Sequence, residues 1–383
     1  MDLREKYMRK SLITIAIGVA LSSTTVMAKE TPASNSSSDD LMNVQNRCIV
    51  QLHDGMSGAM VNDHAQDMAA RGNSTLKHVY SNSINGFAIN MPCHAAQAAF
   101  GGDPAIASMT PDSIMSISKG KPGSGGGGGG QQASYGTARV GGPVDGSGYT
   151  AWVIDTGIDL DHPDLNVDAS RGFTAISRGG MDDQNGHGSH VAGTIGAMDN
   201  SVGSLGVAPN TTLIPIRVLD RRGSGTTSGV IAGVDFVGAN ASSGDCVNMS
   251  LGGGASQVLD DAVIAAANAS GAFFVLAAGN DGDDANNHSP ARANDNNVWT
   301  ISATDVNDNM PSWSNYGNPP VDFAAPGVSI FSTWKSGGTN TISGTSMASP
   351  HACAVIMMTG GHPASDGNAG NDPDGNADPI ISI

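Results

Sequence analysis

Three short segments constrain the fold of this chain more than any other feature. The first reads Ala-Trp-Val-Ile-Asp-Thr-Gly over 151–157, the second Asn-Gly-His-Gly-Ser-His over 185–190, and the third Ser-Gly-Thr-Ser-Met-Ala-Ser-Pro-His over 343–351. The first is typical of a buried parallel strand that ends at an aspartate. The other two are typical of closely packed helix starts. This pattern predicts an α/β fold with a mostly parallel twisted sheet flanked by helices.

The polar residues of these segments, Asp155, His187 and Ser346, form a chemically coherent set. A serine hydroxyl is a weak nucleophile at neutral pH, and a histidine that titrates near neutrality is well suited to remove its proton. A carboxylate bonded to the other imidazole nitrogen fixes the tautomer and the orientation of the ring. A helix predicted from about Met347 to Thr359 would place N–H groups and partial positive charge beside Ser346.

The order Asp, His, Ser along the chain distinguishes this set from two other arrangements. Chymotrypsin has the order His, Asp, Ser, and the α/β-hydrolases have Ser, Asp, His together with a G-x-S-x-G motif that Ser346 lacks. The three segments resemble the triad motifs of the subtilisin-like serine proteases, the subtilases of subtilisin and proteinase K type. The resemblance covers roughly residues 45–360. It implies a peptidase that acts through an acyl-enzyme on Ser346.

The resemblance also implies a donor for the oxyanion of the reaction. The segment Leu-Ala-Ala-Gly-Asn-Asp-Gly over 276–282 is similar to the family segment that provides it, so Asn280 is the implied side-chain donor, assisted by the Ser346 N–H. His190 and His351 lie within the same motifs. We interpret both as packing or hydrogen-bonding residues.

Two glycine-rich stretches resemble the edges of the family's substrate cleft, between which an extended peptide would add as a strand. The implied substrate-binding residues are Ser250, Leu251 and Gly252 on one wall and Gly223, Ser224 and Gly225 on the other. Taken alone, each stretch is also typical of an ordinary turn. The side chain preferred before the cleaved bond stays open.

Segments 159–165 and 198–206 resemble the two halves of a calcium site in many subtilases. Calcium takes six to eight oxygens from carboxylate, amide and carbonyl groups. The implied ligands are the Asp164 carboxylate, the Asn200 amide and the carbonyls of Met198, Val202 and Ser204, with Asp199 adding charge. The alternative is a solvated polar loop. The run 372–376 also suggests calcium but lacks EF-hand spacing, and no organic cofactor is expected.

Charge argues against nucleic acid as a partner. The formal net charge is −17, and residues 131–383 hold 25 Asp, no Glu, seven Arg and one Lys. Such an acidic surface favours solubility and cation binding and offers no means of holding a phosphate backbone.

The first 28 residues predict export by a signal peptide. Four Lys and Arg within residues 4–10 precede an apolar stretch over 12–21 that is too short to span a membrane, and a small-residue cleavage motif ends at Ala28. We therefore expect a secreted protein, extracellular or periplasmic, with no stable membrane association. Disulfides are allowed there. The residues leave open whether Cys246 and Cys353 form a bridge or two buried free thiols.

Residues 45–118 resemble the inhibitor-like prodomain of subtilases, a small α+β domain that in the family assists folding and then occupies the active site. The pattern predicts a strand over 47–52, a helix over 63–71, a strand pair over 76–90, a helix over 94–100 and an extended piece over 106–117. Residues 29–44 are expected to form a disordered spacer.

A glycine-rich segment, 119–133, predicts a flexible linker, because no phosphate-loop pattern follows it. The peptidase domain is expected over 134–360. The acidic tail over 361–383 is rich in Gly, Asn, Asp and Pro. Compared with the elements that usually close the family's fold, this tail is either disordered or cut short.

Together these patterns predict a secreted, self-processing serine endopeptidase. It would be monomeric, act on polypeptides and have its own prodomain as an intramolecular inhibitor. Two other classes stay open. A catalytically poor pseudoprotease that acts as a binding protein would follow if the short carboxyl-terminal part weakened the site, and a stable prodomain complex would serve as an inhibitor or a chaperone.

Overall fold

The computed structural model describes residues 41–117 and 130–383. The predicted signal peptide, most of the predicted spacer and most of the predicted linker lie outside these ranges. Within them, no helix is both long enough and apolar enough to cross a bilayer.

The amino-terminal domain has the predicted βαββαβ order. Its strands are β1 (Cys48–Leu52), β2 (Leu76–Tyr80), β3 (Gly86–Ile89), β4 (Ile106–Pro111) and the short β5 (Ile114–Ser116), and its helices are α1 (Gly58–Arg71) and α2 (Cys93–Phe100). The first four strands form an antiparallel sheet in the order β2-β3-β1-β4. Helix α1 begins earlier than predicted because the Ser57 hydroxyl accepts the Met60 N–H at 3.3 Å and caps it. A disulfide joins Cys48 to Cys93.

The remaining elements follow residue 130. The helices are α3 (Tyr135–Arg139), α4 (His187–Gly196), α5 (Thr227–Asn240), α6 (Gln257–Ser270) and α7 (Thr345–Met358). The strands are β6 (Gln132–Ala133), β7 (Thr150–Asp155), β8 (Phe173–Thr174), β9 (Ser204–Leu205), β10 (Thr212–Arg217), β11 (Ser224–Thr226), β12 (Cys246–Met249), β13 (Gly253–Gly254), β14 (Phe273–Ala277), β15 (His288–Ser289), β16 (Val298–Thr304), β17 (Val321–Pro326), β18 (Ile330–Trp334), β19 (Gly338–Ile342), β20 (Ala364–Asn368) and β21 (Pro379–Ser382).

A nine-stranded sheet organises this part of the described chain, in the order β20-β21-β17-β16-β14-β12-β7-β10-β8. Its strands are parallel except for the antiparallel pair β20–β21. Side chains of a strand alternate between the two faces. On β7, Trp152 and Ile154 join the apolar cluster shared with α5 and α6, whereas Ala151 and Val153 join the cluster shared with α4 and α7. This is the predicted α/β architecture, with helices on both faces of the sheet.

A disulfide joins Cys246 on β12 to Cys353 on α7. The alternative of two free thiols is therefore wrong. Helix α7 packs on β12, β14 and β16, so the bridge ties the helix that carries Ser346 to the centre of the sheet.

Two predicted segment boundaries differ from the structure. Val44, assigned to a disordered spacer, is buried and begins a 3-10 helix over Val44–Asn46. The last residues of the predicted flexible linker, Gln132–Ala133, form β6, which pairs in parallel with β9. The partner of β6 lies far along the chain, which local composition does not reveal.

The disordered alternative for the tail is wrong for two of its segments. Strands β20 and β21 extend the main sheet beyond β17. Ile380 and Ile381 are fully buried there. Their burial outweighs the disorder that the Gly, Asn and Asp content around them favours.

Candidate active site

Strand β7 and helix α4 bring Asp155 and His187 together. Nδ1 of His187 lies 2.9 Å from each carboxylate oxygen of Asp155, and the Thr156 N–H donates to the same carboxylate at 2.6 Å. The His187 side chain is 4% exposed and that of Asp155 is 0% exposed. Because Nδ1 faces a carboxylate, it carries the proton, and Nε2 is left as the basic nitrogen.

The positions on either side of His187 have no room for a side chain, so both must be glycine. Gly186 has a φ of +113°, and a β-carbon on it would lie 2.1 Å from the Trp334 ring. A β-carbon on Gly188 would lie 2.0 Å from the carbonyl oxygen of Gly157, directly after β7. Glycine therefore lets α4 approach the end of β7 closely enough for the imidazole to reach Asp155.

Asp183, which the sequence analysis did not single out, anchors the start of α4. Its carboxylate accepts the N–H groups of Gly186 and Ser189, both at 2.9 Å, and the Thr156 hydroxyl at 2.9 Å. An acidic residue shortly before a helix is the usual cap of its unpaired N–H groups. That pattern is the sequence signal that identifies Asp183.

Ser346 lies in the first turn of α7 and is fully buried. Its hydroxyl donates to the Ser250 carbonyl at 3.2 Å, and the Ser250 hydroxyl donates to the Ser346 carbonyl at 2.9 Å. Nε2 of His187 is buried and has no hydrogen-bond partner among the described residues. Helices α4 and α7 pack against each other. Bonds between a nucleophile and its base often tighten only once a substrate is bound.

Asn280 follows β14, and its amide nitrogen makes no hydrogen bond within the described residues. Its Oδ1 accepts the N–H of Thr345 at 2.8 Å and the Thr345 hydroxyl at 3.0 Å. These donors require an oxygen, which fixes the orientation of the amide. Nδ2 is consequently buried without a hydrogen-bond partner in the described part of the chain. Thr345, missed by the sequence analysis, therefore orients Asn280 beside the start of α7, where the first N–H groups have no partner within the helix.

The two predicted edges of the substrate cleft hold a segment of the chain itself. Strand β5 pairs antiparallel with β11. On the other side, the N–H and C=O of Ser116 bond to the C=O and N–H of Gly252 at 3.0 and 2.9 Å, and the Ile117 N–H donates to the Gly223 carbonyl at 2.9 Å. Residues 114–117 thus lie as an extended strand between the two edges.

A cavity of about 440 Å³ adjoins this strand and is lined by Ile117, Gly252, Ala278, Asn280 and His288 among others. It lies next to Asn280, at the carboxyl end of β14. Leu251, predicted to bind substrate, is fully buried and belongs to the apolar cluster of the α5–α6 face instead of this lining.

Two buried carboxylates join the amino-terminal domain to α5. Asp112 accepts the N–H of Ser228 at 2.9 Å, in the first turn of α5, and pairs with Arg47 at 2.9 Å. Burial raises the pKa of Asp112. From the other side, Asp235 on α5 accepts the N–H groups of residues 81–83 at 3.0, 2.8 and 2.8 Å.

The two segments predicted to bind calcium meet at Asp164. One carboxylate oxygen accepts the Asn200 amide at 2.8 Å and the other accepts the Ser204 N–H at 2.7 Å. Burial raises the pKa of Asp164. The Gln131 amide, missed by the sequence analysis, donates to the carbonyls of Met198 and Ser204 at 2.6 and 3.0 Å.

The remaining predicted ligand, Val202, is exposed, and its N–H donates to the Asn200 Oδ1 at 2.7 Å. Within the described ranges no three His, Cys, Asp or Glu side chains form a group suited to a metal ion. The oxygens gathered around Asp164 are therefore mostly amide and carbonyl oxygens.

The two histidines predicted to be structural are both buried. Nε2 of His190 bonds to the Ile330 carbonyl at 3.0 Å, and Nδ1 of His351 bonds to the Met347 carbonyl at 2.7 Å. Burial lowers the pKa of His190 to about 3 and that of His351 to about 4. Both rings are therefore neutral at physiological pH.

Sequence comparisons match the same part of the chain. The sequence model of the subtilase family matches residues 146–360. Alkaline serine exoprotease A of Vibrio alginolyticus is 42% identical over 296 residues, covering 74% of this chain and 53% of that protein. The chain thus spans about half the length of this relative. The extracellular serine proteinase of Thermus sp. (strain Rt41A) is 44% identical over 285 residues, covering 73% of this chain and 67% of that protein.

A solved structure gives the same result for the fold. The crystal structure of a cold adapted subtilisin-like serine proteinase is 40% identical, with a TM-score of 0.59, and the match covers 65% of this chain and 98% of that one. The fold described above is accordingly the subtilisin-like α/β fold. This chain belongs to the subtilase family, the subtilisin-like serine proteases.

Proposed function

We propose that this chain is a secreted serine endopeptidase that hydrolyses peptide bonds through Asp155, His187 and Ser346 and cuts its own prodomain junction. The observation that carries the proposal is the buried Asp155–His187 hydrogen bond at the end of a cleft whose edges hold an extended backbone. That geometry suits attack on the carbonyl of a peptide in the same cleft.

In the proposed mechanism, Nε2 of His187 takes the Ser346 hydroxyl proton as Oγ attacks the peptide carbonyl. Asp155 stabilises the imidazolium that forms, and Nδ2 of Asn280 with the Ser346 N–H stabilises the oxyanion. His187 then gives its proton to the leaving amine, which leaves an acyl group on Ser346. Water, deprotonated by the same imidazole, releases the acid and restores the serine.

The Ser346→Ala variant tests the function. It is expected to lack hydrolysis of casein and to remain uncut, because the same hydroxyl is required for both reactions. Ser349→Ala is the matched control in the same helix. Casein turnover by Ser346→Ala at the wild-type rate would contradict the mechanism. A wild-type chain that stays uncut and hydrolyses nothing would instead support the alternative function, a stable prodomain complex that serves as an inhibitor or a chaperone.

The Asn280→Ala variant tests the oxyanion donor. Loss of one such donor is expected to lower kcat by about 10²- to 10³-fold with little change in KM, because the bond strengthens only as charge develops. Steady-state kinetics on a peptide amide measure the two constants. A variant that raises KM alone would assign Asn280 to substrate binding.

We further propose that the prodomain, residues 45–118, acts as an intramolecular inhibitor. The strand over 114–117 fills the cleft, and its pairing with Gly252 runs toward Ser250, whose carbonyl accepts the Ser346 hydroxyl. The segment therefore approaches the nucleophile as a substrate would, and the cut is expected between Ile117 and Ser134. The Asp112 and Asp235 contacts would hold the domain in place after cleavage.

Replacing Asp235 with Ala tests this inhibition. The change removes the acceptor of three backbone N–H groups, each bond to a charged group contributing about 1.5–3 kcal/mol. We expect the delay between self-cleavage and the onset of activity in the full chain to shorten at least tenfold. Asp261→Ala, which removes a bond of 3.4 Å from Gln51 of the prodomain and one of 2.8 Å from Gln257 in its own helix, is the control. Equal delays in both variants, with unchanged melting temperatures, would rule out Asp235 as an anchor of the prodomain.

We also propose a structural calcium ion at Asp164. The residues fit the ion, since the group consists of oxygen donors around one fully buried carboxylate, and a half-turn of the Asn200 and Gln131 amides exchanges nitrogen for oxygen. Asp164, Asn200 and the carbonyls of Met198, Val202 and Ser204 would hold it. The ion would stabilise the fold without taking part in the reaction.

Chelation tests the calcium proposal. An ion that binds only the folded protein raises the free energy of unfolding by about 4 kcal/mol when its free concentration exceeds Kd a thousandfold. Chelator is expected to lower the melting temperature and speed autolysis in the wild type and in the Asp161→Ala control, whose carboxylate is exposed. Asp164→Ala should have a lower melting temperature than the wild type, and chelator should not change that temperature. If the wild type has the same melting temperature with calcium and with chelator, the calcium proposal is wrong and these segments form only a solvated polar loop.

A further inference from the structure

The loop that carries Asn280 is bonded to one buried side chain. This loop begins directly after β14, and Asn315, which is 0% exposed, lies in the loop between β16 and β17. Nδ2 of Asn315 donates to the Ala278 carbonyl at 2.9 Å. Its Oδ1 accepts the N–H groups of Asp281 and Asp283 at 2.9 and 3.1 Å. These partners fix the orientation of the amide, so the side chain bonds to the backbone on both sides of Asn280.

The main chain of Asn315 lies against the same loop. Its N–H donates to the Gly279 carbonyl at 3.0 Å. Gly279 has a φ of +111°, and a β-carbon on it would lie 2.3 Å from Nδ2 of Asn315. Glycine is therefore needed at 279 for the loop to approach the amide. As a result, Asn315 contacts both the residue before Asn280 and the residue after it.

The other bonds that hold this loop lie elsewhere along it. Those between the two loops at residues 282–285 are further along the chain from Asn280. Thr345, at the start of α7, bonds to the side chain of Asn280 and accepts the Gly279 N–H at 3.1 Å. Two residues therefore determine where Nδ2 of Asn280 lies, because Thr345 holds the side chain and Asn315 holds the flanking backbone.

Asn315 lies outside the cavity that adjoins Asn280. It is fully buried and is not part of the lining of this space of about 440 Å³, whereas Ala278, Asn280 and Asp281 are. A residue that does not touch the substrate leaves ground-state binding unchanged, so its loss changes KM little. A shift of a catalytic group by about 1 Å lowers the rate by about 100-fold. A change in kcat without a change in KM is therefore expected of such a residue.

We propose that Asn315 is a positioning residue for the oxyanion donor, since it fixes the backbone on both sides of Asn280 and thereby keeps Nδ2 of Asn280 in place. The inference rests on the proposed peptidase function and on the donor role of Asn280. Without the Asn315 amide, the Ala278 carbonyl and two backbone N–H groups lose their partner. Buried polar groups rarely stay unpaired, so the loop moves to find new partners and Asn280 moves with it.

A double-mutant cycle tests this role. Steady-state kinetics on a peptide amide give kcat and KM for the wild type, Asn315→Ala, Asn280→Ala and the double variant. An immobilised protease first digests the prodomain of every chain and is filtered off, so that slow self-cutting does not enter the comparison.

Thr211→Val is the matched control. Thr211 is also fully buried, and the change removes one bond of 2.7 Å to the Ala208 carbonyl. Thr211 directly precedes the amino end of β10, whereas Asp155 and Asn280 lie at the carboxyl ends of their strands. Melting temperatures are measured for every variant, so that a loss of stability is separated from a loss of kcat.

Asn315→Ala is expected to lower kcat by about 10- to 100-fold and to change KM by less than about twofold. In the Asn280→Ala background the same change should alter kcat by less than about twofold, because the donor that Asn315 positions is already absent. Thr211→Val should lower the melting temperature and leave kcat at the wild-type value.

The outcomes separate this inference from the proposed function. An equal loss of kcat in both backgrounds, or an unchanged kcat in Asn315→Ala, would overturn the role of Asn315. If Asn315→Ala does not fold, Asn315→Asp carries the same cycle, because it keeps an acceptor for the two N–H groups and loses the donor to Ala278. A wild-type kcat in Asn280→Ala would overturn the donor and this inference while the peptidase function stands. A wild type that hydrolyses no peptide would overturn all three.

Discussion

The buried hydrogen bond between Asp155 and His187 is the interaction on which the rest of the site depends. A carboxylate with no exposed surface is costly unless its oxygens are bonded. Here the imidazole and the Thr156 N–H meet that requirement. The arrangement needs α4 to begin directly against the end of β7, which only glycine at 186 and 188 allows. The parallel sheet, the cap at Asp183 and the small residues of α4 all serve this close approach.

The same site leaves two buried nitrogens without partners among the described residues, Nε2 of His187 and Nδ2 of Asn280. An unsatisfied buried polar atom costs about 1–3 kcal/mol, so most proteins avoid it. In the proposed mechanism, Nε2 of His187 receives the proton of the serine and Nδ2 of Asn280 donates to the oxyanion. Thr345 and Asp155 hold the other ends of both side chains, so the free ends are already oriented for a substrate. Strand β5 occupies the adjoining cleft without using either of them.

The sequence predicted the fold class and the polar residues of the site because the signals were local. Each motif around Asp155, His187 and Ser346 combines a polar residue with small neighbours on one strand or helix, and the continuous apolar run that ends at Asp155 predicted a buried parallel strand. Contacts between distant segments escaped prediction. Thr345 bonds to Asn280 and Asp235 to residues 81–83, neither with a local pattern. The ordered tail depends on Ile380 and Ile381 reaching β17, which composition obscured.

Covalent labelling of the mature enzyme by a fluorophosphonate tests most directly whether Ser346 is a nucleophile activated by His187. The serine oxygen displaces fluoride at phosphorus, and tandem mass spectrometry of the tryptic peptide separates Ser346 from Ser343 and Ser349. The account predicts one adduct, on Ser346, formed rapidly in the wild type and at least a thousandfold more slowly in His187→Ala after an added protease has removed the uncut prodomain of that variant. Labelling at another serine, or at the same rate without His187, would contradict it.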